Sequence, residues 1–407
     1  MHVIPPRLAL LALAASTSAL AAVEIADADT KVIIGLYQQA RIDVAQARDL
    51  NGDRYSINDG TSVTPDTADF YIRRFRPSLK GSVKGAIFST TLQADNWGKD
   101  VSGKDAAGNN TSTTSVGLYE AFAGKEFQVG GIKHTVTLGK QLAWFNTAGS
   151  RSTTMQFVTS RASCTLLSPI GIGAGYRLAS ELVNLGVDIQ NNTGDSTGSN
   201  TQDDGEGLCY TARIEFTGPK GDWNIGKWQE SYAGAAGHGL ALGLEAGTNR
   251  GDRSGSGTGA SPYAGETTTA YGADLLLHVD GLTAFGEYRV QRKAKTYDGN
   301  TESTTTPARI WSAQAGYAMN LEGGLALEPA LRYTSIDMNR DDANEATVYG
   351  TAEYGASGQQ VDVGLTLFLA GHNHKLSGIF TSWNGEANTA GDQGTARIVR
   401  IQHQILF

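Results

Sequence analysis

The feature that most constrains the fold is a two-residue alternation of apolar and polar side chains along most of the 407-residue chain. The final stretch, 395–407, shows this alternation clearly. One face carries Val399, Ile401, Ile405 and Phe407, with His403 as the exception, and the other carries Arg400, Gln402 and Gln404. A period of two predicts a β-strand with one apolar and one polar face. No run approaches the roughly 20 apolar residues that a transmembrane helix needs.

Sixteen segments show this pattern, and long polar stretches alternate with short turns between them, except that 218–237 is a long connection on the short-turn side. The segments are 31–45, 69–83, 86–96, 115–124, 134–142, 172–180, 183–190, 207–217, 238–248, 267–279, 282–295, 308–319, 325–337, 359–369, 374–384 and 395–407. Gly130-Gly131 and Asp280-Gly281 are short connections, whereas 97–114 is long. An even number of strands with long loops on one side and short turns on the other is typical of bacterial outer-membrane barrels.

Charged residues of these segments share one face, opposite the apolar residues. In 207–217, for example, Arg213 and Glu215 alternate with Ala212, Ile214 and Phe216. A Lys or Arg at the lipid midplane costs about 2–4 kcal/mol, so the charged face is expected to line the lumen. A soluble sandwich would bury the apolar face instead, but so many such strands favour the membrane form. We therefore predict an all-β, transmembrane antiparallel β-barrel of about 16 strands with long extracellular loops and short periplasmic turns.

Aromatic residues near the predicted strand ends fit the same interpretation. We expect them to form girdles at the two membrane interfaces. They are Tyr71, Tyr176, Tyr288, Trp311, Tyr317 and Trp383. The segment 115–124 is ambiguous, because Glu120 shares a face with Leu118 and Phe122.

The N-terminal residues indicate secretion. Arg7 precedes a short apolar run, and small residues ending at Ala22 follow that run. This order is typical of a secretory signal peptide, so we predict a signal peptide at 1–22 and one outer-membrane barrel domain at 23–407. The alternative, a buried N-terminal helix, is disfavoured by the two prolines that precede the apolar run.

The last strand carries a family-level signal of its own. An amphipathic final strand that ends in an aromatic residue resembles the terminal strand of bacterial outer-membrane proteins. The resemblance implies that 395–407 closes the barrel and that Phe407 is recognised by the outer-membrane assembly machinery. We accordingly expect the protein in the bacterial outer membrane, in contact with its lipid.

A barrel of 16–18 strands leaves an aqueous channel, and the charges that line it select what passes. The basic residues on the predicted lumenal face are Arg41, Arg74, Arg76, Lys80 and Arg400, on the first, second and last strands. The acidic ones are Asp188, Glu215, Glu245, Asp274 and Glu287, on the seventh to eleventh strands. A basic wall attracts anions, so we predict passive diffusion of small anions or small polar solutes. The alternative is that these charges pair with one another and only keep the lumen wet.

The stretch 143–171 is long and mixed in composition, and we predict that it folds into the lumen as a constriction. Arg151 and Arg161 are its candidate anion contacts. A loop lying over the mouth is the alternative. Cys164 and Cys209 are the only two cysteines and a possible disulfide in an oxidising compartment, with two free thiols as the alternative.

Short motifs along the mature chain resemble the phosphate-selective porin O and P family. They lie at 72–77, 136–141, 185–188, 203–204, 210–213, 331–333 and 363–365. The resemblance implies a homotrimeric channel with a lumenal arginine ladder and a constriction loop that holds anions such as phosphate. Arg74 and Arg76 are the residues that match the family's ladder. The loop departs from the family pattern, because Gly139 is followed by Lys140-Gln141-Leu142 where the family has an aromatic residue and then lysine.

Other chemistry is weakly indicated. His372 and His374 share a strand face in the alternation, but no third ligand lies near them, so no metal site is predicted. A hydrolase needs a serine and a histidine with an orienting polar group, and no such set can be assigned. We expect no enzyme activity, no cofactor and no nucleic-acid partner. A non-selective general porin and an adhesion or structural barrel are the alternatives, and a barrel lipase is disfavoured.

Overall fold

In the computed structural model, the strands form one antiparallel sheet that closes on itself. The structure describes residues 23–27, 29–49, 67–97, 116–145, 170–191, 208–218, 238–251, 263–297, 302–304, 307–337, 357–385 and 394–406. The strands are β1 Val23–Ala26, β2 Thr30–Asp49, β3 Thr67–Val83, β4 Ala86–Trp97, β5 Val116–Val129, β6 Ile132–Leu142, β7 Ile170–Ala179, β8 Val183–Asn191, β9 Leu208–Thr217, β10 His238–Gly251, β11 Tyr263–Val279, β12 Leu282–Tyr297, β13 Glu302–Thr304, β14 Ala308–Tyr317, β15 Met319–Asn320, β16 Ala326–Asp337, β17 Gly358–Ala370, β18 His374–Gly385 and β19 Gly394–Leu406. The predicted signal peptide, 1–22, lies outside these residues and stays a prediction.

Sixteen of these strands form the barrel wall, and β1, β13 and β15 are short additions to it. Pairing of β19 with β2 closes the wall, with Leu406 opposite Tyr37 at one end and Gly394 opposite Asp49 at the other. The predicted antiparallel barrel of 16 strands is therefore confirmed. Within the described residues, no helix is long and apolar enough to cross a membrane.

Two-residue turns connect hairpins at the end of the barrel where β2 begins and β19 ends. Lys84 and Gly85 join β3 to β4 with φ of 49° and 76°, and Asp280 and Gly281 join β11 to β12 with φ of 45° and 91°. Positive φ at both central residues is the type I′ pattern, whose twist matches that of the flanking strands. Glycine at the second position adopts this conformation without steric cost.

The outer face of the wall is apolar and the inner face is polar. Exposed side chains on the outer face include Leu242, Leu244, Leu275, Val363, Leu365, Val399 and Ile401. Their neighbours along the chain, among them Glu245, Asp274, Asp362 and Arg400, are buried on the inside. This is the orientation that the cost of lipid-facing charge predicts.

The aromatic girdle prediction is only partly correct. Tyr288, Trp311 and Tyr317 are exposed on the outer face. Tyr71 and Trp383 are instead buried, at 1% and 6% exposure, and they point into the lumen. Nearness to a strand end does not determine the face of a side chain, which depends on the alternation within the strand.

A β-bulge in β5 explains the ambiguity of that segment. Thr91 of β4 lies opposite Glu120, whereas the next residue, Leu92, lies opposite Leu118, so Tyr119 is the extra residue. A bulge of this kind reverses the alternation on one side of it. Leu118 is therefore on the outer face and Glu120 on the inner face.

The short strand β1 lies beside β2 where β19 ends. β19 pairs with β2 down to Tyr37, and β1 pairs with β2 from Ile34 to Lys31. The turn before β2 is held by Asp27, whose Oδ1 accepts hydrogen bonds from the backbone N–H groups of Asp29 and Thr30 at 2.9 and 2.8 Å. These hydrogen bonds lower the pKa of the Asp27 carboxyl, because they stabilise its charged form.

Candidate functional site

Five arginines line the lumenal face of β19, β2 and β3, and we call this set the basic wall. Its members are Arg41, Arg73, Arg74, Arg76 and Arg400, each 8% exposed or less. Strand register brings them to similar heights, since Arg41 lies opposite Gln402 and Arg74 lies opposite Gln39. Four of the five were singled out from the sequence, and Arg73 was not.

A bulge in β3 brings Arg73 to the lumen. Gln39 lies opposite Arg74, but Ala40 lies opposite Ile72, so Arg73 is the extra residue. Strict alternation would place Arg73 on the lipid side, beside Phe75. A lipid-facing arginine costs about 2–4 kcal/mol at the bilayer midplane, so the sequence alone could have indicated that Arg73 faces the lumen.

Side chains of β2, β3 and β19 hold two of these arginines in place. Arg41 donates from Nε and Nη2 to Oε1 of Gln402, at 3.2 and 2.9 Å. Nε of Arg400 lies 3.6 Å from Oδ1 of Asp43, and the Tyr71 hydroxyl donates to Oδ2 of Asp43 at 2.7 Å. Among the side chains that the structure describes on these three strands, Asp43 is the only carboxylate facing the lumen. The basic wall therefore has a net positive charge.

An aromatic ring supports Arg76. Its guanidinium carbon lies 3.9 Å from the centroid of the Tyr119 ring, within the range of a cation–π contact. The bulge in β5 is what turns Tyr119 towards the lumen. Sequence alternation did not identify Tyr119 for the same reason that it did not identify Arg73.

Lys80 lies apart from the basic wall. It pairs with Ser89 closer to the periplasmic end of β3, and its side chain is exposed. Glu120 lies near both Lys80 and Arg76. Lys80 is thus a lumenal residue with a carboxylate close by.

The carboxylates predicted for the seventh to eleventh barrel strands lie on β8 to β12, across the lumen from β2. Asp188, Glu215, Glu245, Asp274 and Glu287 are each 9% exposed or less, and we call them the acidic wall. Arg177 pairs with Asp188 at 2.7 Å. Arg289 lies 3.0 Å from Glu245 and 3.3 Å from Glu287.

Arg213 is the centre of the acidic wall. Its two Nη atoms lie 2.6 Å from Asp274, 2.9 Å from Glu245 and 3.1 Å from Glu215. Gly243 on β10 leaves the space that the guanidinium occupies, because a Cβ there would contact it. Among the described side chains on this side of the lumen, five carboxylates outnumber three arginines, so this set is net negative.

The chain that leaves β6 turns into the lumen. Ala143 and Phe145 form a buried apolar cluster with Ala270, which lies on β11 across the barrel. The backbone N–H of Trp144 donates to Oδ2 of Asp188 at 2.9 Å. The guanidinium carbons of Arg177 and Arg213 lie 5.8 and 5.7 Å from the Trp144 ring. The described start of 143–171 therefore lies inside the barrel.

Several predicted residues of this loop lie outside the described residues, namely Arg151, Arg161 and Cys164, and their roles stay predictions. Cys209 is buried, and because Cys164 lies outside the described residues, the predicted bond between the two stays a prediction. Cys209 faces the lumen opposite Gln190 of β8, and residue type and compartment alone did not determine a pairing. A Gly-x-Ser-x-Gly pentapeptide at 194–198 and the terminal Phe407 also lie outside the described residues.

The expectation that His372 and His374 share a face is wrong. His372 is 5% exposed and contacts Phe368 edge-on, with ring centroids 5.3 Å apart. His374 instead pairs with His403, on the outer face of β18 and β19. The pairing of β17 with β18 shifts register between Phe368 and Ala370, next to the turn, and simple alternation does not include that shift.

A closed antiparallel wall with an apolar outer face and a charged lumen defines a transmembrane β-barrel of the bacterial outer membrane.

The fold is that of a solved outer-membrane channel, and two further solved structures are similar at lower TM-scores. The outer membrane channel DcaP of Acinetobacter baumannii is 11% identical, covers 94% of this chain and 99% of its own, and has a TM-score of 0.54. An anion-selective porin from Comamonas acidovorans is 12% identical over 93% of this chain and all of its own, with a TM-score of 0.48. OmpT of Vibrio cholerae, in its trimer form, is 11% identical over 92% and 99%, with a TM-score of 0.49. No protein-family model and no curated protein matches the chain.

Gly186 on β8 leaves room for the Trp144 indole, since a Cβ there would contact ring carbons of Trp144 and the Arg177 side chain. We expect Gly186→Ala to displace Trp144 and loosen the start of the loop. Single-channel conductance should then rise, by up to about twofold, because conduction depends on the narrowest width of the pore. Gly378→Ala is the control, since nothing lies within 4 Å of a Cβ at that position. Equal conductance of the two variants would argue against a lumenal loop held by Trp144.

A second prediction concerns His372 in the turn between β17 and β18. Burial, with the positive charge of Lys375, lowers the pKa of His372 to about 3. The unfolded chain binds this proton below about pH 6.5 and the native barrel does not, so stability falls as pH drops. Between pH 6.5 and 4.5 the free energy of unfolding should fall by about 2–3 kcal/mol through this residue alone. Urea unfolding at both pH values should show a smaller fall in His372→Gln than in the unmodified protein, and an equal fall would contradict the prediction.

Proposed function

We propose that the protein is an outer-membrane porin, a water-filled channel for passive diffusion of small anions and small polar solutes. The basic wall is the observation that carries this proposal. Five arginines at similar height face one carboxylate, Asp43, among the described side chains of their strands. Low-dielectric walls focus the field of such a cluster and raise the local concentration of anions.

Phosphate-like anions are the proposed preferred solutes. The guanidinium group presents donors in a planar fork that matches carboxylate and phosphate oxygens, and it keeps its charge at any working pH. Arg73, Arg74 and Arg76 all lie within the 72–77 motif that resembles the phosphate-selective porins. An anion passing the basic wall can exchange part of its hydration shell for these donors and move from one arginine to the next.

The acidic wall adds a transverse field across the lumen. Its net negative charge faces the net positive charge of β2, β3 and β19. A zwitterionic or strongly dipolar solute is oriented by such a field, which supports polar solutes as a second class of cargo. A homotrimer and recognition of Phe407 by the assembly machinery are further parts of the proposal, and both rest on family resemblance.

A general, weakly selective porin is the second candidate. The observation that favours it is the pairing of Arg177, Arg213 and Arg289 with carboxylates, which neutralises much of the charge on that side. If the basic wall is screened to a similar extent, ions of both signs would pass.

The test is planar-bilayer conductance of the refolded protein, with the reversal potential measured in a KCl gradient and phosphate added as competitor. Anion-selective current that phosphate blocks is the expected result. Ohmic, weakly selective current would support the general porin. Absence of current would overturn both and favour an adhesion or structural barrel, and cleavage of an ester substrate would favour a lipase.

A further inference from the structure

Two histidines meet on the outer face of the barrel, away from the lumen. His374 is the first residue of β18, and His403 lies near the end of β19. Their Nε2 atoms are hydrogen-bonded to each other at 2.9 Å, and the ring planes are inclined by 72°. Both side chains are half-buried, so one side of the pair stays open.

The two nitrogens could share a metal ion in place of the hydrogen-bond proton, with each ring then carrying its proton on Nδ1. Metal–imidazole bonds are about 2.0–2.1 Å long, so two nitrogens 2.9 Å apart subtend about 90° at a common ion. This is the cis angle of tetragonal or octahedral sites, which Cu²⁺ and Ni²⁺ prefer when the ligands are nitrogen and oxygen. A tetrahedral Zn²⁺ site would need the nitrogens about 0.4 Å further apart.

The cross-strand neighbours of the two histidines supply no further ligand. Ala40 lies opposite His403 on β2, and Ile405 lies opposite His374, so neither cross-strand neighbour competes with a ligand. Within the described residues, no group of three His, Cys, Asp or Glu side chains is placed to hold a metal ion. The pair is therefore a two-ligand site that opens outwards at the periplasmic end of the wall.

We propose that His374 and His403 form a binding site for one divalent transition-metal ion of the Cu²⁺ or Ni²⁺ type, with water completing its coordination. The ion links β18 to β19 next to the seam where the barrel closes. The site is independent of the channel function. This pair differs from the pair considered in the sequence analysis, His372 and His374, because His372 points to the lumenal side of the barrel wall.

Cu²⁺ titration of the refolded, untagged barrel in detergent, followed by electron paramagnetic resonance, tests the proposal. We expect one Cu²⁺ with two equatorial imidazole nitrogens in the unmodified protein. His374→Gln and His403→Gln should each bind at least about tenfold more weakly and show a single nitrogen, because each loses one of two ligands. His134→Gln is the matched control, since His134 is paired with the Tyr176 hydroxyl rather than with a second histidine.

Heat-modifiable mobility on gels establishes that each variant is folded before it is titrated. Folded His374→Gln and His403→Gln proteins that bind Cu²⁺ as tightly as the unmodified protein would overturn the proposal. A one-nitrogen spectrum in the unmodified protein would overturn it as well. Loss of the two-nitrogen spectrum in His134→Gln would assign the ion to a different site.

Discussion

Replacing Arg74 and Arg76 together by alanine is expected to remove most of the anion selectivity of the channel. A charge-assisted hydrogen bond contributes about 1.5–3 kcal/mol, so the phosphate concentration that half-blocks the current should rise at least about tenfold. The reversal potential in a KCl gradient should move towards zero. Arg41, Arg73 and Arg400 remain in this variant, so some preference for anions should persist.

The matched control removes two arginines from the outer face of the barrel instead of the lumenal face. Arg309→Ala with Arg397→Ala deletes the same charge, but both residues are exposed on outward-facing positions of β14 and β19. Selectivity and phosphate block should be close to those of the unmodified channel. If both double variants shift the reversal potential equally, net charge rather than the basic wall sets selectivity.

Arg213→Ala is expected to produce the largest loss of stability. It leaves Glu215, Glu245 and Asp274 without the guanidinium that all three contact. Removing one partner of a buried ion pair costs about 3–5 kcal/mol, because the remaining charge is buried without compensation. The free energy of unfolding in urea should fall by this amount. The channel should also become more selective for cations, as measured by its reversal potential.

Arg177→Ala gives the comparison for Arg213. Arg177 pairs with a single carboxylate, Asp188, and its side chain is 24% exposed. Its loss should cost about 1–2 kcal/mol, less than the loss of Arg213, because only one buried carboxylate is affected and Asp188 keeps the hydrogen bond from the Trp144 backbone N–H. Similar losses in both variants would show that water in the lumen screens the acidic wall throughout.

The barrel could be predicted from the sequence because its main determinant is local. Each strand repeats the same apolar and polar alternation, and the cost of a charge in lipid selects the face. Strand ends were less well predicted: 115–124 is β5, Val116–Val129, because the last residues of that hairpin are polar on both faces.

The candidate site could be predicted only in part, because its contacts depend on register between strands. Arg41, Arg74 and Arg400 follow the alternation and were found. Arg73 and Tyr119 reach the lumen through bulges, which are set by pairing with a neighbouring strand rather than by a local motif. The contact of Arg213 with Asp274 joins residues 61 positions apart, and no local pattern predicts such a pair.

The first strand, β1, and the last strand, β19, lie end to end along the same edge of β2. β1 and β19 run in the same direction beside β2, with Val23 opposite Ile34 and Leu406 opposite Tyr37, so only Gly35 and Leu36 of β2 separate the two pairings. A peptide link of about two residues, at roughly 3.4 Å each, would span that gap. The strand pairings therefore do not depend on where the chain begins and ends. A circular permutant whose β19 is linked to β1 across this gap, and whose new termini lie in an extracellular loop, would keep every strand pairing of the barrel.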